Sequence, residues 1–229
     1  MRRRARTRRL NSIDKLAEGC ENRAPERPIA AREAQRDEFL AEPPAQAQKY
    51  WPEAEGRAGG LRLGEGVMNR GEPLPLYETE VAADWVDYNG HMNDAAYALV
   101  FSRALDALMD RIGLDAAARK AHRRTLYTLQ VMLHYFQETS QGEALFVRGR
   151  LLEHDDKRMR VWLEMKAGRE GANLAASEQL LISVDQSEAR ARAAPWRAET
   201  KAALDALANA QRGLEVPPLA GHGVALKWK

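Results

Sequence analysis

Apolar and polar residues are regularly patterned only in the central part of this chain. Residues 76–81 alternate as a β-strand does. Residues 95–112 are apolar around more than half of a helix circumference, which is typical of a helix surrounded by protein. Asn93 or Asp94 is suited to cap its first turn, and Gly113 to end it in a left-handed conformation. We therefore expect a strand followed by a long, buried helix.

The pattern after this helix predicts four more strands. Large side chains occupy both faces of residues 125–138, which predicts a long strand covered on both sides. Shorter strands are predicted at 144–153, 158–167 and 174–185, and their short, turn-rich links favour antiparallel hairpins. An Ala-rich segment at 195–212 predicts a C-terminal helix. These elements define an α+β domain in which a five-stranded antiparallel sheet wraps around one long helix.

The start of the chain lacks such a pattern, so we predict that residues 1–70 are disordered or absent from the native protein. Gly64-Glu65-Gly66 requires purine-rich codons shortly before Met68, which resembles a ribosome-binding site preceding a natural start. A nucleic-acid or membrane-surface tail is the alternative for this Arg-rich stretch. The chain is thus divided into 1–70, a central domain at 74–193, and a C-terminal helix and tail at 194–229.

Composition excludes several classes of protein. The formal net charge is +2, and the single cysteine, Cys20, cannot form an intrachain disulfide. No apolar run approaches the roughly 18 residues of a membrane span. Serine-hydrolase, P-loop and zinc-protease motifs are absent from the sequence. We expect a soluble, cytoplasmic protein that binds neither nucleic acid nor membranes.

The polar segment before the long helix carries the candidate chemistry. Asp87 lies seven positions before Asp94, and a carboxylate near a helix N-terminus is favoured in its ionised form. The free backbone N–H groups near Asp94 can stabilise the oxyanion that develops during attack on a thioester. Gly90 permits the sharp backbone path and a close approach of substrate. Loop and helix together predict a site for acyl transfer.

Residue types at fixed spacing in this segment resemble those of a known family. The pattern Asp-x-x-Asp-x-x-Gly-His-x-Asn-x-x-x-Tyr of the 4-hydroxybenzoyl-CoA thioesterase-like hotdog family is matched by Asp84, Asp87, Gly90, His91, Asn93 and Tyr97. The resemblance implies a hotdog fold and hydrolysis of an acyl-CoA without metal or organic cofactor. It implies that Asp87 is the nucleophile or the general base, and that the backbone N–H near Asp94 polarises the carbonyl. A homodimer or a dimer of dimers is also implied.

Longer runs, including TLYTLQVMLHY and LLEHDDKRMRVWLEM, are similar to the betainyl-CoA thioesterases of carnitine breakdown. They are also similar to the module attached to some L-carnitine dehydrogenases. This resemblance implies an acyl group with a quaternary ammonium, which binds aromatic faces. The candidate aromatic residues, each alternatively an ordinary core residue, are Trp85, Tyr88, Tyr135 and Trp162.

Several other residues have two interpretations. Asp84 is either a second functional acid or a turn residue, and His91 either hydrogen-bonds the thioester or orders the loop. Asn93 is either a helix cap or a substrate ligand. Lys157 and Arg158, at a predicted hairpin tip, either bind CoA phosphates or are solvated turn residues. The alternative functions are hydrolysis of another short or aromatic acyl-CoA, and acyl-CoA binding without catalysis.

Overall fold

The computed structural model describes residues 71–224, and the predicted extension at 1–70, with its proposed start at Met68, lies outside the described residues. The strands in the described range are β1 (Leu74–Glu80), β2 (Arg124–Tyr135), β3 (Ala144–His154), β4 (Arg158–Ala167), β5 (Asn173–Asp185) and β6 (Arg192–Ala193). The helices are α1 (Asp94–Arg111), α2 (Ala116–His122) and α3 (Ala198–Ala210), with a 3₁₀ turn at Ala83–Trp85.

One antiparallel sheet contains all six of these strands. The strand order is β1-β3-β4-β5-β2, and β6 pairs with β5. The five predicted strands and the α+β hotdog arrangement are confirmed. β6 and α2 were not predicted, because two residues and seven residues are too few to display a periodic pattern.

α1 is the central helix of the domain. Its N-cap is Asn93, whose side chain accepts a hydrogen bond from the Ala95 N–H at 2.9 Å, and Gly113 follows it with φ 77°. Both features were predicted. The buried residues of α1 contribute to two apolar clusters, one around Phe101 and one around Leu108, so that the helix joins both halves of the core. None of the helices within residues 71–224 has the length and apolarity needed to cross a membrane.

β2 forms one edge of the sheet and differs from its prediction. Its apolar side chains were expected to be covered on both sides, yet Leu129 is 54% exposed and Val131 is 46% exposed. The pairing register with β5 shifts between Thr128 and Gln130. This irregularity explains how Leu126 and Leu133, seven residues apart, both pack against the core, since a regular strand would direct them to opposite faces.

The C-terminal part of the described chain packs into the same core. Leu204 and Leu207 of α3 join the cluster that contains Leu108 of α1. Gln211 follows α3, and its buried side chain accepts a hydrogen bond from the Leu151 N–H at 2.8 Å. It also donates to the Gly149 carbonyl at 3.3 Å. Gln211 thereby satisfies backbone groups of β3 at the point where pairing with β1 ends.

We predict that Gln211→Ala lowers the free energy of unfolding by about 1–3 kcal/mol, because it leaves buried backbone groups of Gly149 and Leu151 unpaired. Urea denaturation measures the change. Gln141→Ala is the matched control, since Gln141 is exposed, and should change stability by less than about 0.5 kcal/mol. Unchanged stability of Gln211→Ala would contradict this role.

Candidate active site

Residues 85–93, which we call the Asp87 loop, fold into a small hairpin between the 3₁₀ turn and α1. The Asp87 N–H donates to the His91 carbonyl at 2.9 Å, and the Gly90 N–H donates to the Asp87 carbonyl at 3.0 Å. Val86 and Met92 form an isolated antiparallel bridge. Gly90 adopts φ 82°, a left-handed conformation that glycine tolerates without steric cost. The sequence prediction of a sharp turn at Gly90 is therefore confirmed.

The Asp87 side chain is half-buried at the start of this turn. Its Oδ1 accepts a hydrogen bond from the Asn89 N–H at 2.8 Å. Among residues 71–224, no donor binds Oδ2, which leaves this oxygen available to a substrate or a water molecule. Asp84 lies in the 3₁₀ turn and is exposed, as expected of a turn residue.

The Asp87 loop is anchored on both sides by backbone hydrogen bonds. The Met92 N–H donates to the Thr139 carbonyl at 2.8 Å, and His91 pairs with Ser140 as an isolated bridge. The Asn93 N–H donates to the Trp85 carbonyl at 2.8 Å. The contacts of Met92 and His91 attach the loop to residues 136–143, the connection between β2 and β3, and the Asn93–Trp85 bond closes the loop on itself. Together they fix the position of Asp87.

The first turn of α1 includes a candidate backbone donor for the site. The Ala95 N–H donates to the side-chain oxygens of both Asn93 and Asp94, at 2.9 and 2.8 Å. The Asp94 N–H, in contrast, has no acceptor within the described part of the chain. A donor at a helix N-terminus without an internal partner is suited to an oxyanion. The role of the Asp94 backbone in polarising a substrate carbonyl stays a prediction.

His91 contacts an acidic residue that the sequence did not single out. Its Nδ1 lies 3.3 Å from Oε2 of Glu138. The two side chains are 39% and 73% exposed, so this contact is at the surface of the loop. It is consistent with the loop-ordering role considered for His91, and a hydrogen bond to the thioester remains a prediction.

Two tyrosines form an aromatic pair beside the start of α1. The rings of Tyr97 and Tyr135 are perpendicular, with centroids 5.3 Å apart. The Tyr135 hydroxyl donates to the Asp94 carbonyl at 3.4 Å, and that of Tyr97 to the Gln137 carbonyl at 3.2 Å. Burial raises the pKa of both tyrosines. The Asp94 carboxylate raises the pKa of Tyr135 further. Glu138 is one of the charged groups that raise the pKa of Tyr97 further.

Trp85 already holds a cation from its own chain. The Arg103 guanidinium of α1 lies 5.4 Å from the centroid of its ring, a cation–π distance. Arg103 also donates to the Tyr77 hydroxyl of β1 at 3.2 Å. Tyr77 belongs to the strand at the opposite edge of the sheet from β2, so Trp85 packs toward β1 rather than toward Tyr135.

The structure also separates the other two aromatic candidates. Tyr88 is at the tip of the Asp87 loop and is 96% exposed. Trp162 is buried, with its indole N–H directed to Glu164 Oε1 at 3.2 Å and its ring 5.7 Å from that of His134. Its neighbours Val161 and Leu163 face the core, so Trp162 lies on the other face of the sheet from α1. The four candidate aromatics do not form one cluster within a single chain.

Lys157 and Arg158 lie at the far end of the sheet from Asp87. β3 begins beside the Asp87 loop and ends before their hairpin, and its 11 residues span about 35 Å. Arg158 Nε donates to Asp155 Oδ2 at 2.8 Å. Hydrogen bonds from the Lys157 backbone, and then from the Arg158 side chain, lower the pKa of Asp155 to about 2. These two basic residues therefore do not join the Asp87 site of their own chain.

Arg103 and Glu138 are the site neighbours that the sequence did not reveal. Each meets a partner that is distant along the chain, and neither lies in a recognisable motif, so no local signal was available. Among the described residues, no group of three or more His, Cys, Asp or Glu side chains is placed to hold a metal ion.

Comparisons with known proteins extend these observations. A family model described as the Thioesterase-like superfamily matches residues 81–204. The chain is 44% identical over 153 residues to a betainyl-CoA thioesterase of Pseudomonas aeruginosa, covering 67% of this chain and 95% of that protein. It is 38% identical to an L-carnitine dehydrogenase/betainyl-CoA thioesterase of Agrobacterium fabrum, covering 69% of this chain but only 32% of that longer protein.

A similar fold has been solved by crystallography. A protein of Pseudomonas putida KT2440, provisionally named a thioesterase, superposes with a TM-score of 0.60. It is 39% identical, and the match covers 69% of this chain and 99% of that one. The family model, the sequence identity and the fold similarity thus agree on one family.

Proposed function

The chain belongs to the Thioesterase-like superfamily and is a thioester hydrolase, and we propose that its substrate is betainyl-CoA, which it hydrolyses to betaine and CoA. The observation that supports catalysis most directly is that one short loop carries a carboxylate, Asp87, whose Oδ2 no described residue binds, and leads into a helix whose first N–H, that of Asp94, has no acceptor among the described residues. The proposed substrate rests on the 44% identity to the Pseudomonas aeruginosa enzyme.

In the proposed reaction, the thioester carbonyl oxygen accepts a hydrogen bond from the Asp94 N–H. Asp87 acts in one of two ways. As a general base it takes a proton from water while the water oxygen bonds to the carbonyl carbon. As a nucleophile its oxygen bonds to that carbon, and water then hydrolyses the resulting anhydride. In both cases the C–S bond breaks and the CoA sulfur leaves as a thiolate, which is then protonated.

In this proposal, the aromatic side chains near the start of α1 bind the quaternary ammonium. Tyr135 is half-exposed and its hydroxyl touches the first turn of α1, and Tyr88 is fully open at the tip of the loop. Trp85 is a weaker candidate, because Arg103 already occupies an aromatic face. Asn93 serves as the helix cap in this scheme rather than as a substrate ligand.

We propose that two copies of the chain form a homodimer through β2. This edge strand leaves Tyr127, Leu129, Val131 and Tyr135 between 45% and 54% exposed. An exposed apolar edge strand is a ready surface for pairing with another chain. In this proposal Lys157 and Arg158 contact CoA across such a subunit boundary, because these residues are remote from the Asp87 of their own chain. We propose that the protein is located in the cytoplasm. We also propose that it needs neither a metal nor an organic cofactor.

A panel of acyl-CoAs tests the proposed substrate. We expect the full-length protein to hydrolyse betainyl-CoA with a higher kcat/KM than acetyl-CoA, butyryl-CoA or 4-hydroxybenzoyl-CoA. Release of free CoA, followed with a thiol reagent, is the measurement. Faster hydrolysis of the neutral acyl-CoAs would reject the betainyl assignment, and binding without any CoA release would favour a non-catalytic acyl-CoA protein.

Asp87→Asn tests the proposed catalytic carboxylate. Because the amide can act neither as a base nor as an anionic nucleophile, we expect kcat to fall by at least about a hundredfold. Asp84→Asn is the matched control, and its exposed side chain should be replaceable with little effect on kcat. Circular dichroism and CoA binding confirm the fold of both variants. Full activity of Asp87→Asn would remove Asp87 from the mechanism.

The proposed dimer is tested by Val131→Lys, which places a charge on the exposed edge strand. We expect this variant to be monomeric by analytical ultracentrifugation and to lose activity, because lysine on a sheet edge opposes pairing. Val216→Lys is the control, since Val216 is also exposed, at 68%, but lies outside the sheet. A monomeric, fully active wild-type protein would contradict the proposal.

A further inference from the structure

We infer that Glu138 determines specificity for a positively charged acyl group, by placing a carboxylate beside the Tyr97–Tyr135 pair at the mouth of the site. This inference rests on the proposed thioesterase function and adds to it the charge selection of the acyl group. It begins from the His91–Glu138 contact of 3.3 Å, which locates the carboxylate at the Asp87 loop.

The backbone around Glu138 is fixed on its C-terminal side. The Thr139 carbonyl accepts a hydrogen bond from the Met92 N–H at 2.8 Å, and Ser140 forms an isolated antiparallel bridge with His91. The buried Thr139 hydroxyl donates to Glu143 Oε2 at 2.7 Å, which holds the 136–143 connection in its turn. Glu138 therefore cannot move far from the loop, whereas its side chain remains 73% exposed and able to meet a ligand.

Within residues 71–224, no permanent cation neutralises this carboxylate, because Glu138 pairs with His91 and with no lysine or arginine. The Arg103 guanidinium, which does contact the Asp87 loop, is held by Trp85 and Tyr77 on the β1 side. Asp94 adds a second carboxylate close enough to Tyr135 to raise its pKa. The site next to the tyrosines is consequently anionic.

An anionic mouth discriminates between acyl groups by their charge. A carboxylate near the thioester end repels a negative acyl group and offers a neutral one no charge attraction, because the CoA phosphates lie at the other end of the pantetheine arm, where salt screens them. A quaternary ammonium on the acyl group reverses this effect, because it is attracted both by the carboxylate and by the π face of the half-exposed Tyr135. The combination of an aromatic face with a nearby carboxylate is the chemistry that selects such a cation.

The test compares two substrates of the same shape. Betainyl-CoA ends in a trimethylammonium group, and 3,3-dimethylbutanoyl-CoA replaces its nitrogen with carbon and so removes the charge. We expect Glu138→Gln to lower kcat/KM for betainyl-CoA by about tenfold, mainly through KM, and to leave that for the neutral substrate unchanged or raised. Both substrates are assayed at the same pH and ionic strength.

Glu170→Gln is the matched control. Glu170 is exposed in the β4–β5 turn, and its substitution removes the same charge from the surface. It should leave the ratio of the two kcat/KM values unchanged. A Glu138→Gln ratio equal to that of wild type, or an equal loss for both substrates, would overturn the inference. A wild-type enzyme that hydrolyses both substrates equally would overturn it while leaving the thioesterase function intact, and hydrolysis of neither would reject the proposed function itself.

Discussion

The backbone hydrogen bond from Met92 to Thr139 links the two segments on which the site depends. One segment carries Asp87 and leads into α1, and the other connects β2 to β3. Without this bond and the adjoining His91–Ser140 bridge, the Asp87 loop would be joined to the sheet only at its ends. Because a loop of this kind is short and contains glycine, its conformational freedom is reduced mainly by such cross-links. The position of the carboxylate relative to the helix N-terminus follows from them.

Burial of α1 fixes the other half of the site. Tyr97 is buried near the start of the helix and Phe101 near its middle, and Leu108 and Ile112 are buried near its end. Burying each large apolar side chain contributes roughly 1.5–3 kcal/mol, so the helix cannot shift along its axis without losing contacts at both ends. The Asp94 N–H is therefore held in place by packing many residues away. A rigid donor of this kind requires little reorganisation during attack on a carbonyl.

The sequence was sufficient for the features that depend on local spacing. The Asn93 cap, the left-handed Gly113 and Gly90, and the order of the strands all follow from residue types at short range. It was insufficient where distant residues meet. The Arg103 guanidinium at Trp85 and the burial of Trp162 on the outer face depend on sheet curvature and register. The irregularity in β2 likewise has no glycine or proline to mark it, so the exposure of that strand was not foreseen.

The location of Tyr135 connects subunit association with recognition of the acyl group. Tyr135 ends the exposed edge strand, and its hydroxyl touches the first turn of α1. Any chain that pairs with β2 must approach this ring and exclude water from around it. A cation–π contact strengthens as water is removed, from about 0.5–1 kcal/mol at an exposed site to about 2 kcal/mol when desolvated. In the proposed dimer, the interface would thus strengthen the contact between Tyr135 and a quaternary ammonium, and with it the discrimination against neutral acyl groups.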